Sequence, residues 1–436
     1  MTDTPTISKM SQAKVGIEEQ VRAGIKRRYA AERRFRLYGM LSITIALSFL
    51  AILIVTVALQ GYTAFEQTKI RLDINFAQDV IDPTGTRDVK AMSGANYRML
   101  ARKSFGALFP DVTARRDKRK LYKLLSIGAP FELRAMVLAD PSLIGGRRTV
   151  WLTASDDVDQ TVKNRISSGG GNTRLSGRQI AWITKLATQD RIETQFNTAF
   201  FLGGDSREPE LAGVFGAAAG SFWTLVVTLV LSFPLGVMTA IYLEEFAPKN
   251  WWTDLIEINI NNLAAVPSIV FGLLGLAVFL QLFGVPRSAP LAGGIVLALM
   301  TLPTIIIAAR AALKAVPPSI REAAIGIGAS RMQTVAHHVL PLAMPGVLTG
   351  AILGMARALG ETAPLLMIGM VAFIVDIPSS PMDPATALPV QIYLWADSPE
   401  RAFVERTSGA ILVLLGFMIC MNLIAILLRK KFEQRW

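Results

Sequence analysis

The chain is poor in the side chains that build metal sites and disulfides. Its single cysteine, Cys420, lies inside an apolar stretch, and one thiol closes no intrachain bridge. The only two histidines, His337 and His338, are adjacent, so on a helix they point in different directions, and no zinc-ligand spacing exists. No Gly-x-x-x-x-Gly-Lys-Ser/Thr loop occurs anywhere, which excludes the usual cradle for ATP phosphates and leaves no cofactor to expect in this chain. Leu175-Ser-Gly-Arg-Gln179 imitates an ATPase signature run, but without a phosphate loop it reads as coincidence. Acid is in the minority, with 33 acidic against 45 basic residues and a formal charge of +12. In a soluble protein that excess would suggest a nucleic-acid surface. Here much of it flanks apolar segments, where it acts as an orientation signal.

What the chain does have is apolar length. Hydrophobic residues make up 52% of the sequence and the mean hydropathy is +0.41, more than an ordinary core absorbs, whereas a bilayer is crossed by ~20 apolar residues. Residues 37–65 carry no charge and follow the cluster Lys26, Arg27, Arg28, Arg33, Arg34 and Arg36. The run is too long and too far into the chain for a cleavable signal, so it reads as a permanent helix. Further runs follow at 211–243, 258–286 (interrupted by Pro267), 288–309 (with Pro303 inside), 332–375 (broken by Arg357 and Glu361) and 407–428, the last closed by Arg429, Lys430 and Lys431. Six spans with a basic, cytoplasmic N-flank return the C-terminus to the cytoplasm. The loop with Arg310, Lys314, Arg321 and Arg331 also falls inside, as the positive-inside rule requires, and residues 379–398 form an outside loop.

These runs predict a mostly α-helical, polytopic membrane protein. Residues 1–36 are a cytoplasmic basic tail, its first 25 polar and flexible, and 37–65 are transmembrane helix 1. Residues 66–210 are an extracytoplasmic soluble insertion between helices 1 and 2, and 211–436 form a five-helix core with a cytoplasmic loop at 311–339. The insertion carries regular charges, a Gly/Ser cluster at 167–171, strand-forming residues at Thr149 to Leu152, and helical spacing from Gln179 to Phe200. It reads as mixed α/β with no catalytic constellation, and as an addition the core survives without.

Between the fourth and fifth spans lies Val316-Pro-Pro-Ser-Ile-Arg-Glu322-Ala323-Ala324-Ile-Gly-Ile-Gly328, followed by Leu340-Pro341. The prolines suit a helix start, Ser319 and Glu322 suit a capping box, and Gly328 suits the helix end. The result is a short cytoplasmic helix with small residues on one face, able to enter a partner's groove. This arrangement resembles the EAA loop of ATP-binding cassette (ABC) importer permeases, in which Glu322, Ala323, Ala324 and Gly328 would form the helix that rests on the ATPase. His338 stands where that pattern has an aliphatic residue, and Glu322 has the simpler alternative of capping its own helix.

Asn262 to Gly272, Ala356 to Leu366 and Leu388 to Pro399 are similar to the A-type permeases of phosphate-specific importers, the Gly-Glu-Thr-Ala-Pro run at 360–364 most specifically. The resemblance covers the first helix weakly and residues 211–436 nearly throughout. It implies a type I ABC importer permease fold in a bacterial plasma membrane (an inner membrane in a Gram-negative cell). Its partners would be a second related permease, two ATP-binding subunits and an extracytoplasmic phosphate-binding protein, and the chain itself would not be an enzyme. The insertion departs from the family pattern by its length. Ile307-Ala308-Ala309-Arg310 departs from it in residues, so no transport role falls on Arg310. Within the fifth span Arg357 and Glu361 are spaced to pair on one helix face, with Thr362 beside them. Charge there is costly and usually faces a partner or a watery path. The pair is either a gate on the phosphate pathway or a packing ion pair. Rival functions are a permease for sulfate or molybdate and, from another class, a membrane-anchored sensor.

Overall fold

The computed structural model describes residues 6–163, 175–371 and 373–432. The 167–171 cluster lies outside them. The chain forms two compact units, Met1–Leu59 and Gln60–Trp436. The first is a single helix that runs from Thr6 to Gly61, so most of the expected flexible tail is helical. Between Thr6 and Arg36 there is no proline, and Ala, Glu, Gln, Lys and Arg, all good helix formers, recur throughout. With the 3-10 turn Tyr62–Phe65 that follows it, the stretch Arg27–Phe65 is long and apolar enough to cross a membrane.

In the second unit, β1 (Glu66–Asn75) is the centre of a three-stranded antiparallel sheet of order β2-β1-β3, with β2 at Arg147–Thr153 and β3 at Ile192–Phe196. Strand alternation decides its faces. Ile70, Leu72 and Ile74 are fully buried with Phe105, Leu133 and Leu186, while Asp73 on the other face accepts hydrogen bonds from Thr149 Oγ1 (2.7 Å) and Arg191 Nη2 (3.1 Å). The expected helix from Gln179 to Phe200 is instead the Gly177–Thr188 helix, then β3, then the Thr198–Leu202 helix. Ser176 and Gln179 of the signature-like run make a capping box on the first of these.

Four helices are long and apolar enough to span in this unit: Phe215–Phe246, Pro290–Lys314, Arg331–Gly360 and Ala402–Lys431. Small residues let them approach closely. A Cβ added at Gly294 would lie 2.5 Å from Val227 Cβ, and one at Gly346 would lie 2.6 Å from Ala312 Cβ. Thr228 Oγ1 also donates to Gly294 O across 3.2 Å. The expected third span is a pair, Trp251–Ala264 and Ser268–Leu280, bent by 103°. Pro267 takes the N-cap of the second half, which ends the first, so a count of six needs the bent pair taken as one span.

One other expectation fails, and the 379–398 loop is partly helical. The fifth span does not resume after Arg357 and Glu361: its helix ends at Gly360, Glu361 is extended, and only the short Ala363–Met367 helix follows. The supposed outside loop contains the Leu388–Ala396 helix, whose Gln391 Nε2 donates to Gly213 O (3.0 Å) and whose Trp395 Nε1 donates to Asp205 Oδ1 (3.0 Å).

Candidate coupling surface and translocation site

The helix of the 311–339 loop spans Pro318–Gly326. Pro317, with φ −55° and ψ 138°, is its N-cap, because a residue that precedes a proline is pushed out of the helical region. Ser319 therefore lies inside the helix and makes no cap, and Glu322 has no hydrogen bond or ion pair among the described residues. The expected capping box stands elsewhere, between Ser330 and Gln333 at the start of the next helix. Gly328 has φ +93°, a conformation other residues resist, and turns the chain between the two helices.

Ala324 is buried and fixes the inner face of this short helix, while Glu322, Ala323, Ile325 and Gly328 are exposed. Ile327 at 83% and Met332 at 66% exposure extend the outer face with apolar surface. The arrangement presents a carboxylate beside exposed aliphatic side chains on a short, well-anchored element. The anchor is a residue that sequence reasoning passed over. Arg321 Nη2 donates to Glu245 Oε1 at 2.7 Å and to Leu313 O at 2.9 Å, and Nη1 donates to Val316 O at 2.7 Å. Glu245 lies in the π-helical turn Tyr242–Phe246 that ends the Phe215–Ile241 helix. Next to it Glu244 takes Arg310 and Lys314 at 3.6 Å each, and Arg310 Nη1 reaches Glu257 at 2.6 Å. Arg310 thus ties three elements. The signal for this network was Glu244-Glu245 at the end of a span, opposite the basic residues that were counted only for topology.

The structure brings Arg357 and Glu361 together, with Nε to Oε1 at 3.5 Å, but not as a deeply buried pair. The Arg357 side chain is 48% exposed and that of Glu361 20%. The backbone supplies what the sequence did not signal. Glu361 (φ −79°, ψ 126°) is the C-cap where the Leu340–Gly360 helix stops, and Thr362 opens the next short helix. A helix broken among apolar spans leaves main-chain groups without helical partners, which membrane proteins accept where the backbone faces protein or a watery cavity. A Cβ added at Gly272, on the second half of the bent pair, would fall 2.7 Å from Pro364 Cα, so that element presses against the break.

Apolar spans that pack through small residues, a short anchored loop helix and a broken helix with an arginine at its end define a membrane component of a binding-protein-dependent transport system. The family model described as "Binding-protein-dependent transport system inner membrane component" matches residues 232–436. Among curated relatives, the phosphate transport system permease protein PstA 1 of Mycobacterium tuberculosis is 34% identical over 52% of this chain and 74% of its own length. PstA of Yersinia pestis is 33% identical over 51% and 73%, and PstC of Haemophilus influenzae is 34% identical over 39% and 60%. The chain belongs to the PstA-type phosphate transport permease family: it is a multi-pass inner-membrane permease subunit of an ABC importer, not an enzyme. The MetNI methionine ABC transporter in an inward-facing form covers 51% of this chain and 95% of its own, at 18% identity with a TM-score of only 0.40. A model described as a domain of unknown function (DUF3333) matches residues 22–169.

Proposed function

We propose that the chain forms half of the path by which inorganic phosphate is imported, beside a second related permease. Of the two ATP-binding subunits, one would dock on the helix and turn of Glu322, Ala323, Ala324 and Gly328, and an extracytoplasmic phosphate-binding protein would deliver the anion. ATP is used on the partner subunits, with no cofactor held here. The observation that carries this reading is Arg357, half-exposed at the broken end of the Leu340–Gly360 helix. A guanidinium matches the oxygens of an oxyanion through two parallel N–H bonds, and discontinuous helices are where transporters place substrate. Glu361 holds the guanidinium until the anion competes for it, and Thr362 adds a hydroxyl at the same break. The names of the relatives support phosphate over other oxyanions.

Radiolabelled uptake in cells with matched membrane levels of each variant tests the proposal. Arg357→Ala should lower phosphate uptake at least tenfold while insertion is normal, and Arg357→Lys should recover only part. Near-normal uptake by the Arg357→Leu, Glu361→Leu double variant would reduce the pair to a packing role. Uptake of sulfate or molybdate in place of phosphate would reassign the substrate.

A further inference from the structure

The first half of the bent pair, Trp251–Ala264, begins just past the Phe215–Phe246 span, where Asn250 caps it by accepting from Thr253 N at 3.0 Å. One stripe of it meets the core. Thr253, Glu257, Ile260 and Ala264 are half-buried at helical spacing. Glu257 Oε1 takes Arg310 Nη1 at 2.6 Å, and Ile260 packs on the cluster that holds Ala309 and Leu313. Those contacts place the helix at the end of the spans where the basic loop lies. Another side turns outward and is apolar. Trp251 and Trp252 are 62% and 59% exposed, with their rings stacked 4.0 Å apart, and Leu255, Ile256, Ile258 and Leu263 are exposed on the same side. Asp254 and Asn261 stand exposed at its edge.

The geometry separates the two halves of the pair. A bend of 103° at Pro267 means that both cannot lie along the bilayer normal. The 14 residues of the first half rise about 21 Å, short of a hydrocarbon layer of ~30 Å. Ser268 to Pro286 carries no charge and has spanning length by itself. Asn259 and Asn262 interrupt the outward apolar side with amides, of which Asn259 Nδ2 turns back to Leu255 O at 2.7 Å. Hydrated headgroups accept such groups, whereas hydrocarbon penalises them. Indole rings with an apolar body and a polar N–H also favour headgroup depth. The exposed Ile269, Val270, Leu273 and Leu274 carry the apolar surface on into the second half.

We propose that Trp251–Ala264 lies flat in the lipid–water boundary beside the basic loop, and that only the second half of the pair crosses the hydrocarbon. Trp251, Trp252, Leu255 and Leu263 face the acyl chains, and Asp254 and Asn261 face water. The Glu257–Arg310 pair then ties a membrane-surface helix to the span that leads into the Pro318–Gly326 helix. This holds whichever anion the core carries.

Nitroxide labels report the depth. Cysteines are introduced singly at Leu255, Asn261 and Leu263 in a Cys420→Ser background, and the full chain is placed in liposomes of phosphatidylethanolamine and phosphatidylglycerol. Collision with oxygen and with a water-soluble nickel complex is then compared. Labels at 255 and 263 should lie at one depth, about 5–10 Å into the boundary, and the label at 261 should meet nickel at least tenfold more often than either. A depth difference of about 12 Å, the rise from 255 to 263 along the normal, would overturn the proposal and make the helix part of the span. Nickel access at 255 and 263 equal to that at 261 would overturn it too, and would leave the apolar side to a second permease or an ATP-binding subunit. A measurement free of labels uses Trp251→Phe with Trp252→Phe. The fluorescence this variant loses should be the part quenched by lipid brominated near the headgroup. Quenching of that part by neither headgroup-end nor chain-end bromine, or mostly by the latter, would also sink the flat placement.

Discussion

Single side chains in this permease act by what they lack as much as by what they touch. Glu210 is the clearest case. Its folded-state pKa of about 7 stands above the ordinary 4.5, with burial as the main cause and Ser126 opposing. A raised carboxyl means that the folded chain holds a proton the unfolded chain has given up. Stability is therefore fully present below about pH 4.5 and falls as pH rises to about 7, by about 3 kcal/mol at most. Glu210→Gln should abolish that dependence, read as equal thermal midpoints in detergent at about pH 5 and about pH 8, whereas the wild type melts lower at the higher pH. Arg321 gives the opposite lesson. Its guanidinium joins Glu245, Leu313 O and Val316 O, so Arg321→Ala frees the Pro318–Gly326 helix from the end of the Phe215 helix. Uptake should drop severalfold while the chain still inserts, and charge exchange (Arg321→Glu with Glu245→Arg) should restore part of it. Glu322, exposed beside it, should tolerate alanine in folding and lose only ATPase binding, read by co-purification. The spacing of Glu322, Ala323, Ala324 and Gly328 made the loop legible in sequence. The clamp that carries it was not, because Arg321 and Glu245 lie far apart in the chain and pairing follows from packing.

At the level of elements, charge-free length located the spans, and proline placed the break near 267 but not its angle. Whether a proline kinks a helix or turns it through 103° depends on what receives the second half. Here the receiver is the Ala363–Met367 segment, and contact is possible because Gly272 has no side chain. Gly272→Ala would put a methyl 2.7 Å from Pro364 Cα and 2.9 Å from Met367 Cβ. Backbone does not yield as a flexible side-chain tip does, so a cost of about 1–3 kcal/mol is expected. A lower thermal midpoint and reduced uptake should appear together, while Gly416→Ala, with nothing within 4 Å of the added carbon, should change neither. The stop at Gly360 was hidden for a related reason. Residues 362–375 are as apolar as a span, and periodicity alone does not separate a continuing helix from a short helix followed by irregular chain.

For the whole molecule, buried bonds that the composition did not signal join the insertion to the last core helix. Lys163 Nζ, buried, bonds to Asp159 Oδ2 (2.7 Å), Glu405 Oε1 (2.9 Å), Thr63 O and Glu66 O, and Gln160 Nε2 donates to Glu405 Oε2 (2.6 Å). Arg406, 3% exposed, donates to Ala64 O and lies over the Phe200 ring. Replacing residues 75–200 by a Gly/Ser linker removes Asp159, Gln160 and Lys163 from around Glu405. Breaking a buried pair costs about 3–5 kcal/mol, so the shortened chain should lose stability and membrane yield, and Glu405→Gln made in the same chain should recover part of the yield. No change in yield on replacement would show the insertion to be a true appendage. The same tie sets an order of events at the ribosome. Glu405 is 242 residues beyond Lys163, and at about 5–20 residues per second the partner is made roughly 10–50 seconds later. Through that interval Lys163 has Asp159 of the insertion as its counter-ion but lacks Glu405, and the buried network is complete only when the last helix arrives. Nascent chains cut short before Ala402 should thus be the ones a quality-control protease removes.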